Sequence, residues 1–232
     1  AKYLWLLARG RFHRFGLACV TFGVPVSVKS YIATVGKDFR TLPESEYRTE
    51  LETFARIRAY GAAGNGPAQF TVERKDGLVH EYGATADSRI ESQGQPTARA
   101  WALNRIRDRA GNAILFEYTE DAANGSYRLA RVRYGGNASQ GVAPPYELRL
   151  TYEARPAGEI DSRYAAGSVV KEVTRLDRIE LLHAGEPVRR YELTHEPALS
   201  AAARSRLASV QECAGDECLQ PTVFAYQDGD EW

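Results

Sequence analysis

The 232-residue chain carries 30 Lys plus Arg against 30 Asp plus Glu, and 44% of its residues are hydrophobic and 10% aromatic. Zero formal net charge excludes a polyanion-binding surface built on bulk charge, and the apolar content excludes global disorder. Mean hydropathy is −0.42, and no apolar run approaches the roughly 20 residues of a membrane-crossing helix.

Methionine is absent and the chain opens Ala-Lys, which reads as a piece of a longer polypeptide. Near the start, Arg9, Arg11 and Arg14 precede an apolar stretch over 17–28, as in an export signal, but no small-x-small cleavage site follows and Gly23 and Pro25 interrupt it. In Gly16-Leu17-Ala18-Cys19 the leucine stands one place too close to the cysteine for a lipoprotein signal. Over 47–60, Leu51, Phe54 and Ile57 fit a helix, while Leu51, Thr53, Ala55 and Ile57 fit a strand; periodicity does not separate the two in so short a run. Gly61 to Gly66 has the composition of a phosphate cradle, but no Lys-Ser/Thr follows, so it reads as a turn.

From residue 51 onward, alternation with period two prevails. Phe70-Thr-Val72-Glu and Val79-His-Glu-Tyr82 flank Lys75-Asp-Gly77, a hairpin with an Asp-Gly turn. The clearest alternation is Tyr146-Glu-Leu148-Arg-Leu150-Thr-Tyr152-Glu, with apolar and polar side chains on opposite faces. Beneath this lies a repeat. Leu103-x-x-Ile106, Leu129-x-x-Val132, Leu176-x-x-Ile179 and Leu207-x-x-Val210 each lead through a Gly-containing turn (at Gly111, Gly135-Gly136, Gly185 and Gly215) to an outgoing strand. The outgoing strands end at Tyr118, Tyr152, near Leu193 and at Tyr226. The loops are expected at 61–67, 83–97, 138–145 and 155–167, and 198–206 is a second weak helical candidate. The predicted fold class is all-β, mainly antiparallel, with successive hairpins forming an extended curved sheet or sandwich and little helix.

Candidate chemistry is sparse. Cys213 and Cys218 bracket a turn, and a disulfide, two free thiols and metal binding all remain readings of that spacing; Cys19 is left over. His13, His80, His183 and His195 show no zinc spacing, and no P-loop, G-x-S-x-G or G-x-G-x-x-G occurs. Asp228-Gly-Asp230 reads as a polar linker rather than a calcium loop. Arg105 to Arg109 and Arg128 to Arg133 alternate with acidic neighbours and read as solvated faces. Glu50-Leu-Glu52 spells the E-x-E of arginine-specific ADP-ribosyltransferases, which makes an ADP-ribosyltransferase fragment one alternative. A secreted β-rich carbohydrate- or protein-binding module is another, and it requires exposed aromatics such as Tyr60, Tyr164 and Trp232 to meet.

Trp101-Ala-Leu103-Asn-Arg-Ile106-Arg-Asp108-Arg-Ala-Gly111-Asn112, continuing to Tyr118, resembles the W-x-L-x-x-I-x-D-x-x-G-N pattern of SpvB/TcB-type proteins. These are the virulence-plasmid toxin B protein and the B components of insecticidal toxin complexes, related to Rhs/YD-repeat proteins. Gly64 to Pro67, Lys75 to Gly83, Asp87-Ser-Arg-Ile90 and Arg204 to Phe224 are similar to further parts of the same domain. The resemblance divides the chain into a divergent or truncated segment, 1–45, and a β domain, 46–232. It implies a secreted, non-enzymatic shell domain that helps enclose or deliver a toxic effector segment. The implied partners are the remainder of the parent polypeptide, with its propeller and Rhs repeats, a toxin-complex C component and a pore-forming A component; nucleic acid and membrane are not among them. No cofactor, metal ligand or catalytic residue carries over, and Trp101, Leu103, Ile106, Asp108, Gly111, Asn112 and Tyr118 are expected to be structural. A piece of such a wall, cut from its neighbours, is expected to expose sheet edges and aggregate.

Overall fold

The computed structural model describes residues 44–47, 53–197 and 204–226. Alternation becomes strand nearly throughout. A meander of β1 (Glu44–Tyr47), β2 (Arg56–Tyr60), β3 (Gln69–Glu73) and β4 (Val79–Tyr82) starts the main sheet. The chain then leaves it through a 3-10 turn, Ala86–Ser88, and a separate hairpin of β5 (Arg89–Glu91) and β6 (Ala98–Trp101). It returns as β7 (Leu103–Arg107), which pairs with β4, and continues through β8 (Asn112–Asp121), β9 (Ser126–Asn137) and β10 (Tyr146–Ala154). A second excursion, β11 (Ser162–Ala165) with β12 (Ser168–Lys171), precedes β13 (Thr174–His183), which pairs with β10. β14 (Glu186–Glu196) and β15 (Arg206–Ala214) follow, and the outer edge of β15 is shared by the short β16 (Glu217–Cys218) and β17 (Thr222–Val223). Among the described residues this is one antiparallel sheet of 13 strands with two small hairpins beside it.

The register gives the sheet two unlike faces. Ile57, Val72, His80, Ile106 and Ile114 stand in line across five strands, and Phe116, Val132, Leu148 and Leu181 form a second apolar row. One residue along, Glu117, Arg131, Arg149, Glu180 and Arg190 face one another in succession on the opposite side. Strand pairing with period two forces this separation. Among the described residues few large side chains are fully enclosed: Leu182 (2% exposed), Ile90 (4%) and Val170 (5%) are buried with several alanines, while Phe70, Val72, Ile106, Val132, Leu148 and Leu150 remain half-buried.

Three expectations change, and a fourth falls mostly outside the described residues. The helical reading of 47–60 gives way at both described ends, since Tyr47 closes β1 and Arg56 opens β2. Of the candidate helix 198–206, residues 198–203 lie outside the described residues and Arg206 begins a strand. The loops 83–97 and 155–167 contain β5 and β11. Gly135-Gly136 is not a turn but lies within β9; a Cβ on Gly136 would come within 2.8 Å of Pro144, so the glycines admit the return of the chain toward Tyr146.

Candidate functional site

The family-like motif is a joint between strands. Asp108 Oδ1 accepts from the amides of Ala110 and Asn112, both at 2.9 Å, and Oδ2 accepts from Asn112 Nδ2 at 2.8 Å. These bonds, the Asn112 side chain foremost, hold the Asp108 carboxyl below its ordinary range. Gly111 has φ +90°, and a Cβ there would press on Ser139 Oγ at 2.5 Å. Asn137 Nδ2 donates to Ala110 O and Asn112 Oδ1, both at 3.0 Å, so the turn after β7 is tied to the turn after β9. Trp101 closes β6 and anchors that hairpin to the main sheet: its Nε1 donates to Pro67 O at 3.1 Å and its ring meets Phe70 edge-on at 4.9 Å. Ile106 lies in line between His80 and Ile114.

Leu103 and Tyr118 reveal what the sequence repeat builds. The Tyr118 hydroxyl donates to Leu103 O at 2.8 Å, Tyr152 to Leu129 O at 2.7 Å and Tyr226 to Leu207 O at 2.8 Å. The register explains the recurrence. Ile106 faces Ile114, Val132 faces Leu148 and Val210 faces Thr222, and in each case the clasping tyrosine stands four residues after the facing residue. Two of these phenols are held in the protonated, donating form: burial pushes Tyr118 up to about 12, and burial also raises Tyr152. The Tyr118 amide donates to Asp87 Oδ2 at 2.8 Å, which fastens the first excursion to β8.

The charged face carries ion pairs ordered across the strands. Glu81, buried at 9% exposure, takes a fork from Arg105 (2.9 and 2.7 Å) and a third bond from Arg107 at 3.2 Å. Glu117 pairs with Arg133, Glu147 with Arg149 at 2.8 Å, and Arg190 with Glu192 at 2.8 Å. The expectation of solvated faces covered Arg105, Arg107, Arg131 and Arg133 but did not foresee the order of the ion pairs across strands. Cys213 and Cys218 are register partners on β15 and β16 and are joined as a disulfide, with Cys213 enclosed and Cys218 exposed. Arg190 donates to Gly215 O in the same hairpin.

Other candidates do not converge. Glu50, Glu52, Asp228, Asp230, Trp232, Cys19 and His13 lie outside the described residues. Tyr60 sits in β2 beside Thr71, and Tyr164 is 79% exposed in β11, with no ring contact between them. The structure instead stacks Tyr134 on Tyr146 (5.2 Å, 17°) and Tyr146 on His183 (4.9 Å, 26°). Tyr146 is the middle ring of this stack. Among the described residues no group of three His, Cys, Asp or Glu is placed to hold a metal ion.

The sequence profile of a family described as "Salmonella virulence plasmid 65kDa B protein" matches residues 32–156, more than half of the chain. The chain belongs to the SpvB family. Solved structures share the fold of this SpvB-family chain. It is 19% identical to the N-terminal domain of effector protein SpvB from Salmonella typhimurium strain LT2, with TM-score 0.62, covering 75% of this chain and 69% of that one. It is 21% identical to a chain of the TcdB2-TccC3 crystal structure, with TM-score 0.65, covering 80% of this chain and 12% of that one. The Photorhabdus luminescens Tc holotoxin pore also matches, at 21% identity and TM-score 0.63, over 80% of this chain and 11% of that one. The chain therefore spans a small part of the Tc chains it matches. No curated protein matches it.

Sequence reasoning missed the tyrosine clasps, although their signal, an aromatic closing each repeat, was in view. It also missed His195, which holds the clasp position of the third unit.

Proposed function

We propose that this domain is a non-enzymatic wall segment of a secreted toxin-complex or Rhs-like protein, helping to enclose or deliver a toxic effector segment. The observation that carries the reading is the unbroken antiparallel ladder from β1 to β16, in which β7 and β13 return to the sheet after each excursion. Such a ladder extends laterally without needing a closed core, as a container wall must. The half-buried apolar face supplies surface for neighbouring protein, and the Arg/Glu face suits contact with water. The solved folds it resembles include TcdB2-TccC3 and a Tc holotoxin pore, which supports as partners the remainder of a parent polypeptide, a C component and a pore-forming A component. The residues 46–232 would make up this segment, with Trp101, Leu103, Ile106, Asp108, Gly111, Asn112 and Tyr118 as its joints.

The test is protease protection. The parent toxin, carrying this domain intact, should shield a co-expressed effector segment from added protease. Leu150→Glu, which puts a charge on the half-buried apolar face, should expose the effector to cleavage. An effector digested equally with and without the intact domain contradicts the proposal.

A further inference from the structure

The third repeat departs from the other units at one residue. Ile179 faces Tyr191 across β13 and β14, so the clasp position four residues on is His195, where the first, second and fourth units hold Tyr118, Tyr152 and Tyr226. His195 also occupies the same seam as those tyrosines. Tyr118 is in register with Leu129 after an irregularity at Glu117/Tyr118, and Tyr152 with Leu176 after one at Thr151/Tyr152. Likewise His195 is in register with Leu207 after one at Thr194/His195. The imidazole is 13% exposed, and its Nδ1 is buried without a hydrogen-bond partner.

We propose that His195 is a proton-operated latch: it closes the third unit as a neutral ring and loosens the seam of β13, β14 and β15 when mildly acid conditions protonate it. The surroundings explain why. From β10, Glu153 Oε1 lies 3.6 Å from Nδ1, and Arg155 follows it. From β13 come Arg175 and Asp177. Glu153 is already taken by Arg175 Nε at 2.5 Å. Arg175 Nη1 donates to Ser205 Oγ at 2.6 Å, and that hydroxyl donates to Glu159 Oε2 at 2.7 Å. Beside the ring, Glu196 pairs with Arg206 of β15 at 3.5 Å. A protonated ring adds a third cation beside Arg175 and Arg155 with Glu153 as its near carboxylate, in a place water does not reach freely. Burial first, then Arg175 and Arg155, hold the His195 pKa below its ordinary 6.5, against the opposing pull of Glu153 and Asp177.

The sign follows. The opened seam binds the proton more tightly than the closed one. Above the ordinary histidine range the latch costs nothing; as pH falls through that range the closed form is progressively disfavoured, and the loss is complete below the closed-state value.

The experiment is hydrogen exchange on the full 232-residue chain at about pH 7.5 and about pH 5.5, corrected for intrinsic rates, in the wild type, His195→Tyr and His195→Gln. In the wild type, peptides covering 174–178, 193–197 and 205–210 should exchange faster at the lower pH, because the opened seam takes up a proton that the closed seam resists. Neither variant can take up the proton, so both should lose that acceleration, with His195→Tyr restoring the clasp. His195→Gln keeps the test valid if tyrosine does not fit. Peptides of β9 (Ser126–Asn137), which hold neither histidine nor carboxylate, serve as the internal reference. Acid acceleration that persists in both variants, or that is missing from the wild type, overturns the latch. The outcome is independent of what the wall encloses.

Discussion

Tyr118→Phe isolates one clasp. The substitution deletes a hydroxyl that donates to Leu103 O at 2.8 Å and leaves the ring in place against Tyr127, 6.0 Å away in edge contact. The lost term is one half-buried hydrogen bond to a backbone carbonyl, so the cost is about 1 kcal/mol. For a domain of this size that corresponds to roughly 2–4 °C in Tm. Equilibrium urea unfolding of the full chain, followed by far-UV circular dichroism, measures it as a lower midpoint at unchanged slope. Tyr164→Phe is the control, because that hydroxyl belongs to a residue 79% exposed and its removal should stay within about 0.5 kcal/mol. Tyr152→Phe should match Tyr118→Phe, and Tyr226→Phe, on a 43% exposed residue, should cost less. If Tyr118→Phe cannot be told apart from Tyr164→Phe, the hydroxyls are not clasps and the repeat has no energetic meaning.

Four other outcomes follow from the geometry. Gly83→Ala should cost about 2–4 kcal/mol in urea unfolding, since φ there is +70° and the new Cβ would lie 2.4 Å from Trp101 Cδ1. Glu81→Gln should cost about 1–2 kcal/mol, discounted for the exposure of Arg105 (39%) and Arg107 (45%), with the effect shrinking in high salt. Replacing Cys213 and Cys218 by serine should cost about 2 kcal/mol, the small loop-closure gain of a bond across a separation of five residues; thiol titration of the unreduced protein should count neither cysteine as free. The isolated chain should self-associate, as light scattering would show, because Leu219 (63% exposed), Val223 (72%) and Phe224 (40%) lie along the last edge of the sheet; a monodisperse monomer would count against an apolar edge that wants a neighbour.

What could be read from the sequence was what depends on neighbours along the chain. The alternation at Tyr146 to Glu153 became β10, and the Asp-Gly turn became the β3–β4 hairpin with Gly77 at φ +85°. Residues that depend on distant partners were not readable. β5 and β11 are three and four residues long, too short for periodicity to register, and they sit in Gly- and Ser-containing stretches that imitate loops. Gly135-Gly136 looked like a turn because its true cause, Pro144 lying against the strand, is contributed from eight residues away in sequence. The motif from Trp101 to Asn112 was legible as a pattern, but its work was not: Trp101 reaches Pro67 and Asp108 organises a turn that Asn137 then grips. His195 could be recognised only after the register aligned it with the tyrosines.

The central claim is that the hairpins share one wall, and the β10–β13 junction decides it, because the chain leaves the sheet between those strands. Arg149 and Glu180 are register partners across that junction, whereas Arg149 and Leu181 project to opposite faces. With cysteines introduced at 149 and 180 in the full chain, mild oxidation should form an intramolecular disulfide, seen as an intact mass two hydrogens lighter, the two electrons passing to the oxidant, while the 149/181 pair should not cross-link. Failure of the 149/180 pair, or equal cross-linking of both pairs, would mean that the hairpins stand apart and the wall does not exist.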